Sequence, residues 1–503
     1  IKKKRKMKMQ VYLAIDQGTT SSRAMVFAKN GKLLITDQKD FPQFYPNSGW
    51  VEHDPEIIWT VTLETVKNAL CAAKLKGFKV AAIGITNQRE TVVIWDKKTG
   101  KAIYNSIVWQ DRRTLDVCEN LKEDGCEELI SSLTGLVLDP YFSATKISWI
   151  LDHVAGARAM AESGNLAFGT VDCFLLWRLT NGSVHATDAT NASRTSLFNI
   201  SSLAWDARLL EIFNVPRSIL PEVFECAHDY GLTSKSILGD EIPILAVLGD
   251  QQAAAFGQAC FDTGSLKATY GTGGFLLLNT GSEIVRSKER LISTVLFQLD
   301  GEVFYALEGS IFIAGAAVQW LRDEIGIINS AKQSEVFASL LNGNDGVYLV
   351  PSFTGLGAPH WRPEARGALY GITRNTSKQH ITRAALESVA YQTVDIVNCM
   401  SQDGIKSNVV KVDGGMADNF WFVQFLADIL GTPVKVPKTR EATALGAAMM
   451  AAVFDGQFSS FREIENSRTS NQTFYPKMDP ADRQALLSGW NKAVSSTLSN
   501  SSF

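Results

Sequence analysis

The sequence predicts an α/β chain folded as two similar domains, on three observations. Apolar runs of strand length alternate with helical patterns through the first half. A strand, a glycine–hydroxyl turn and a second strand follow one another twice, around Asp16–Ser22 and around Gly271–Gly274. A third strand, Val409–Asp413, runs into Gly414 and Gly415, with a helical pattern from about Phe420. The repetition is one of pattern rather than identity. It predicts two domains whose turns oppose each other across a cleft, with the boundary near residues 255–265.

The first strand is the apolar run Val11-Tyr12-Leu13-Ala14-Ile15, and it ends on Asp16-Gln17-Gly18-Thr19-Thr20-Ser21-Ser22. A carboxylate, a glycine turn and four hydroxyls suit phosphate and metal. Glycine lets the backbone approach a charged ligand, and successive N–H and O–H groups donate to phosphoryl oxygens. Asp16 could then face a Mg²⁺ that bridges those oxygens, and Arg23 could reach the same phosphates. The residues fit a plain hairpin equally well, because Ala24-Met25-Val26-Phe27 resumes a strand and Asn30-Gly31 turns it again.

Asp54-Pro55 predicts a helix start, with Ile58, Val61 and Val66 on one face. Val80–Thr86 and Thr91–Trp95 read as strands, the second closed by the turn Asp96-Lys97-Lys98-Thr99-Gly100. A further strand, Ile242–Leu248, ends at Gly249-Asp250. In the second half Leu266–Tyr270 and Phe275–Leu278 flank the second turn, and Ala442–Ala452 is a helix of small residues built for close packing.

Composition bounds the function. The 503 residues are 45% hydrophobic and 20% charged, enough for sizeable cores. No apolar run approaches the ~18–20 residues of a membrane span, and no secretory signal is visible. The start, Ile1 to Met9, carries six of the 49 basic residues, leaving 43 against 52 acids, a formal charge of −9. An acidic body argues against a nucleic-acid surface. We expect residues 1–9 to be a disordered basic extension or a cloning remnant. Seven cysteines, odd in number and without a C-x-x-C pair, predict reduced thiols in a cytosol and imply no metal cluster.

Three segments could carry chemistry. Asp250 stands where a helix N-cap would stand, and equally where a general base at a strand end would face a cleft. In Asn87-Gln88-Arg89-Glu90 a guanidinium and a carboxylate could fork onto neighbouring hydroxyls, or form a surface pair at a hairpin end. Adjacent side chains of an extended strand point to opposite faces, so a shared ligand requires irregular backbone there. Trp109 and Tyr141, in Trp109–Arg113 and Asp139–Phe142, fit a core or the apolar wall of a polyol site.

Together, Asp16–Arg23, Gly49-Trp50-Val51-Glu52-His53-Asp54-Pro55, Ile85–Thr91, Gly249-Asp250-Gln251-Gln252, Tyr270-Gly271-Thr272-Gly273 and Val412-Asp413-Gly414-Gly415 closely resemble the glycerol kinases. These are carbohydrate kinases with a duplicated, actin-like ATPase fold, and the resemblance spans about residues 10–495. It implies two ribonuclease-H-like domains, 10–257 for glycerol and phosphate and 258–503 for nucleotide, with the cleft between them. It implies ATP-dependent phosphorylation of glycerol to sn-glycerol 3-phosphate, with Mg²⁺.

By the same resemblance Asp250 looks like the base at the attacked hydroxyl. Arg89, Glu90, Tyr141 and Gln251 look like hydroxyl contacts, and Trp109 and Phe275 like the apolar wall. Thr19, Thr20, Ser21 and Arg23 resemble a first phosphate loop, with Asp16 toward the metal and Thr272 in the opposing loop. Gly315, Gln319, Gly415 and Asn419 look like the nucleoside side.

The resemblance further implies a cytoplasmic homodimer or homotetramer. Some relatives bind a regulatory sugar bisphosphate through glycines and an arginine before the Asp250 strand. Ser234–Glu241 has two acids and no arginine there, so no such inhibition is expected. Other relatives are activated by histidine phosphorylation in this region, but the surroundings of His228 do not match that pattern. Two rival readings stay open: another sugar or polyol kinase on the same scaffold, and an actin-like ATPase that transfers phosphate to no small alcohol.

Overall fold

In the computed structural model the described residues are 9–362, 364–438, 441–466 and 472–499. The expected extension, residues 1–8 of it, lies outside them. The first half is built on five strands: β1 (Gln10–Gln17), β2 (Ser21–Ala28), β3 (Leu33–Asp40), β4 (Lys79–Asn87) and β5 (Ile244–Gly249). They lie side by side in the order β3-β2-β1-β4-β5. The first three run antiparallel, while β1 with β4 and β4 with β5 run parallel.

The second half repeats this plan. Its strands are β6 (Ser265–Tyr270), β7 (Gly274–Gly281), β8 (Ile292–Leu299), β9 (Glu302–Ile311), β10 (Val409–Asp413), β11 (Val434–Val436) and β12 (Gln472–Phe474). The central five have the order β9-β7-β6-β10-β11, again three antiparallel and two parallel, with β8 and β12 added at the edges. The duplication read from glycine turns is thus a duplication of strand topology.

Local chemistry accounts for the elements. Helix α1 (Pro55–Leu75) starts where Asp54 accepts from the Glu56 N–H, and it buries Ile58, Val61 and Val66. The strand expected at Thr91–Trp95 is instead Val93–Asp96. Glu90 sits in left-handed backbone at φ 61, and the Thr91 N–H closes a tight turn on the Arg89 carbonyl at 2.7 Å. Those two residues are thereby removed from any ladder.

Two helices tie the halves together. Helix α2 (Asp250–Gly257) follows β5, and α5 (Ala442–Phe454) follows β11; between them in the chain lie α3 (Gly315–Asp323) and α4 (Phe420–Leu430). Helix α5 lies against β1, β4 and β5 of the first sheet, whereas α2 reaches β6, β7 and β8 of the second. The helices cross backbone to backbone. A Cβ added at Gly446 would stand 1.8 Å from the Ala253 carbonyl oxygen, and one at Gly257 equally close to that of Ala442. One apolar core therefore mixes Tyr12, Phe27, Leu248 and Phe256 with Leu277, Phe297, Leu445 and Met450.

Candidate active site

The turn between β1 and β2 is both a hairpin and a loop of donors. Gln17 pairs with Ser22 across the ladder, and the Gly18 N–H closes on the Ser21 carbonyl at 2.9 Å. Thr20 is exposed, with Thr19 and Ser21 half-buried beside it. Gln88 braces the turn: its backbone N–H donates to the Gln17 carbonyl at 2.7 Å and its side-chain amide to the Gly18 carbonyl at 3.1 Å. Arg23 is committed elsewhere, donating to Asp16 at 2.5 Å and to Glu441, at the start of α5, at 2.7 Å.

The opposing loop, Gly271–Gly274, leans on the start of α3. The Gly315 N–H donates to the Gly271 carbonyl, and the Ala314 and Ala316 N–H groups to that of Thr272. A Cβ at Gly315 would sit 2.5 Å from the Gly271 carbonyl oxygen, which explains glycine at that position. Gln319 is exposed one turn further along α3. Gly414, at φ 86, presses against the Tyr270 carbonyl, while the space beside Gly415 is open. Asn419 caps α4 by accepting from the Phe422 N–H at 2.9 Å, and its amide donates to Ser334.

Between the loops the left-handed kink at Glu90 does what an extended strand could not. It lets Arg89 and Glu90 join one buried cluster. Arg89 lies 3.3 Å from Asp250 through Nε and donates to the Tyr141 hydroxyl at 3.4 Å. Its strongest partner is Glu308 on β9, at 2.7 and 3.3 Å. Arg194 donates to Glu90 at 2.6 Å and to Glu308 at 2.8 Å. The rings of Tyr141 and Phe275 meet Trp109 edge-on, at 5.7 and 6.1 Å, forming one aromatic wall.

Asp250 is the first residue of α2, with Gly249 in the cap position, and its Oδ1 accepts from the Gln251 N–H at 2.7 Å. Its side chain remains about a third exposed. Burial raises its carboxyl above the usual range; Arg89 and Lys267 pull it down, and Asp16 pushes it up. Asp16 is likewise raised by burial, against the pull of Arg23. Burial also lifts Glu308, but Arg194 and Arg89 outweigh it and hold the carboxyl at about 2. Lys267, buried on β6, donates to the Gln251 side-chain oxygen.

Both halves match models of one family. Residues 11–257 match the N-terminal domain of the FGGY family of carbohydrate kinases, and residues 266–454 its C-terminal domain. The chain belongs to the FGGY family of carbohydrate kinases.

Relatives of this carbohydrate kinase agree over its length. It is 55% identical to the glycerol kinase of Rhodospirillum centenum and 56% identical to that of Chelativorans sp., each across 97% of this chain and 98% of the relative. It superposes on Plasmodium falciparum glycerol kinase solved with ADP at a TM-score of 0.93, with 38% identity over 98% of this chain and 99% of that one. A xylulose kinase from Lactobacillus acidophilus, 21% identical, shares the fold at 0.87 over 98% and 99%. Sequence reasoning about this kinase missed Arg194, Glu308, Lys267 and Glu441. A charge inside an apolar strand was the available signal for Lys267, in Leu266-Lys267-Ala268, and for Glu308, in Leu307-Glu308-Gly309. Arg194 and Glu441 stand in no such contrast.

Proposed function

We propose that this kinase transfers the γ-phosphoryl group of ATP to a terminal hydroxyl of glycerol, giving sn-glycerol 3-phosphate and ADP. One arrangement carries the reading: a guanidinium and a carboxylate at Arg89 and Glu90, an aromatic wall, and Asp250 at the strand end beside them. Glycerol offers three hydroxyls and a thin carbon face. Arg89 donates to its hydroxyls, Glu90 accepts, Tyr141 and Gln251 add further contacts, and Trp109 and Phe275 cover the carbons.

Asp250 accepts the proton of the attacking hydroxyl as the new P–O bond forms. Positioning and electrostatics supply the rest of the rate. Thr19, Thr20, Ser21 and Thr272 hold phosphoryl oxygens from both sides; Gly315, Gln319, Gly415 and Asn419 form the nucleoside side. Arg23 joins the phosphates by leaving one of its two carboxylates. Residues 10–257 supply the acceptor and first phosphate groups, and 258–503 the nucleotide side with Phe275.

The oxygen donors suit a hard divalent cation: Asp16 is a buried carboxylate, and the partly exposed Asp250 lies near enough to feel its charge. Asp16, with Asp250 beside it, would hold Mg²⁺, which neutralises charge on the phosphates when bound. We place the enzyme in the cytoplasm, as a homodimer or homotetramer. No helix of the described residues is long and apolar enough to cross a membrane.

The test is ADP release from Mg-ATP with glycerol, erythritol, xylulose, gluconate or no acceptor. The highest kcat/KM is expected with glycerol. A preference for a five-carbon sugar, or full turnover without acceptor, overturns the reading in favour of one of its two rivals.

A further inference from the structure

The four charges behind the acceptor pocket close into a ring. Arg89 donates to Glu308, Glu308 accepts from Arg194, Arg194 donates to Glu90, and Glu90 lies 3.7 Å from the Arg89 Nε. Every side chain in it is at most 2% exposed, and the formal charges cancel. Three members come from the first half; Glu308 comes from the second.

Glu308 has no oxygen to spare. Arg89 occupies both, at 2.7 and 3.3 Å, and Arg194 shares one of them. Without it, two buried guanidinium groups would share Glu90 and the partly exposed Asp250. Arg89, already 3.3 Å from Asp250, would close on that carboxylate and turn its donors from the pocket. Arg194 is similarly placed behind Glu90: its guanidinium faces the Tyr141 and Phe142 rings at 5.5 and 5.3 Å, and one of its nitrogens is buried without a partner.

We infer that Glu308 and Arg194 are positioning residues that aim the Arg89–Glu90 fork at the acceptor hydroxyls, so that acceptor recognition in the first half depends on a carboxylate of the second. This deepens the glycerol reading and rests on it. Neither residue touches substrate; each acts through its neighbour. The polar groups that bear on the fork are Gln252, Tyr141, Asp250, the buried Lys146 and Lys267, and the ring members themselves, and Glu308 alone among the ring's four comes from across the cleft.

The experiment compares Glu308→Gln with wild type, varying glycerol and ATP separately, and repeats the comparison in an Arg89→Ala background. A mis-aimed fork should raise the KM for glycerol about 10- to 100-fold, because displacement of a positioning group by an ångström costs that much. The KM for ATP should change less than about 3-fold. In the Arg89→Ala background, Glu308→Gln should add less than about 3-fold, since the residue it acts through is gone. Discrimination between glycerol and propane-1,2-diol, which lacks one hydroxyl, should narrow in Glu308→Gln. Should that variant not fold, Arg194→Lys, which keeps the charge and loses the fork, is read the same way through Glu90.

Equal rises in both KM values, or full additivity with Arg89→Ala, overturn the inference and leave these residues as fold stabilisers. The acceptor reading stands or falls separately. If wild type prefers another acceptor, glycerol is wrong, and the ring is tested with the preferred acceptor in its place.

Discussion

The indole N–H of Trp109 donates to the hydroxyl of Thr19 at 3.0 Å. The aromatic wall at Trp109 and the turn between β1 and β2, in which we propose the acceptor and the phosphates are held, are therefore joined by a hydrogen bond. Trp109→Phe keeps the wall and removes the donor. It should raise the KM for ATP as well as that for glycerol, each by about 3- to 10-fold, the weight of one hydrogen bond. Steady-state kinetics with each substrate varied in turn decides it, and an unchanged KM for ATP would show that the bond transmits nothing.

Asp250→Asn preserves shape and removes the proton acceptor. We expect kcat to fall by about 10²- to 10⁴-fold while calorimetry still registers ADP binding. Turnover within a few-fold of wild type would exclude Asp250 as the base.

A buried carboxyl behind the fork gives the protein a pH signature. Asp172 is fully buried, accepting from Thr170 and Thr187 at 2.6 Å and from Asn87 at 3.2 Å. Burial raises it to about 7 against the hydroxyl bonds that lower it, with Asp188 raising it further. Between about pH 4 and 7 the folded protein thus holds a proton that the unfolded chain has released. Its contribution to stability is full below pH 4 and is lost as the pH rises through 7. Asp172→Asn should remove that slope, improving relative to wild type between pH 5 and pH 8 by on the order of 2 kcal/mol. Denaturant midpoints at the two pH values measure it; parallel losses in both proteins would refute it.

Gly446→Ala drives a methyl group into the Ala253 carbonyl at the crossing of α2 and α5. We expect destabilisation of at least about 2 kcal/mol, read as a lowered melting temperature, since backbone cannot yield as a side chain does. Gly456→Ala, where nothing lies within 4 Å, is the control, its φ of 71 costing only backbone strain. Equal shifts would mean that the helices separate freely.

Much of the fold was legible because its signals are local. The run Val11–Ile15, the cap at Asp54 and the glycine turns each act over a few residues, and each element formed where it was read. The proposed acceptor pocket rests on motif resemblance, because its members lie far apart in sequence. Arg89 and Glu308 are 219 positions apart. Glu90 illustrates the limit most sharply. Its identity suggested a hydroxyl contact, but strand geometry aimed it away from Arg89. Only the left-handed backbone at φ 61, which a glutamate's composition does not announce, reconciles the two.

The exchanged helix has a consequence for synthesis. The face of the first sheet that carries Tyr12, Ala14 and Leu248 is covered by residues 442–454. During translation that face emerges long before its cover. A nascent chain stalled near residue 260 would have only the short helix α2 of its own to lay on that apolar surface, and would be a natural client for a chaperone. The order in which the ribosome delivers the chain makes the N-terminal half the first to appear and among the last to be finished.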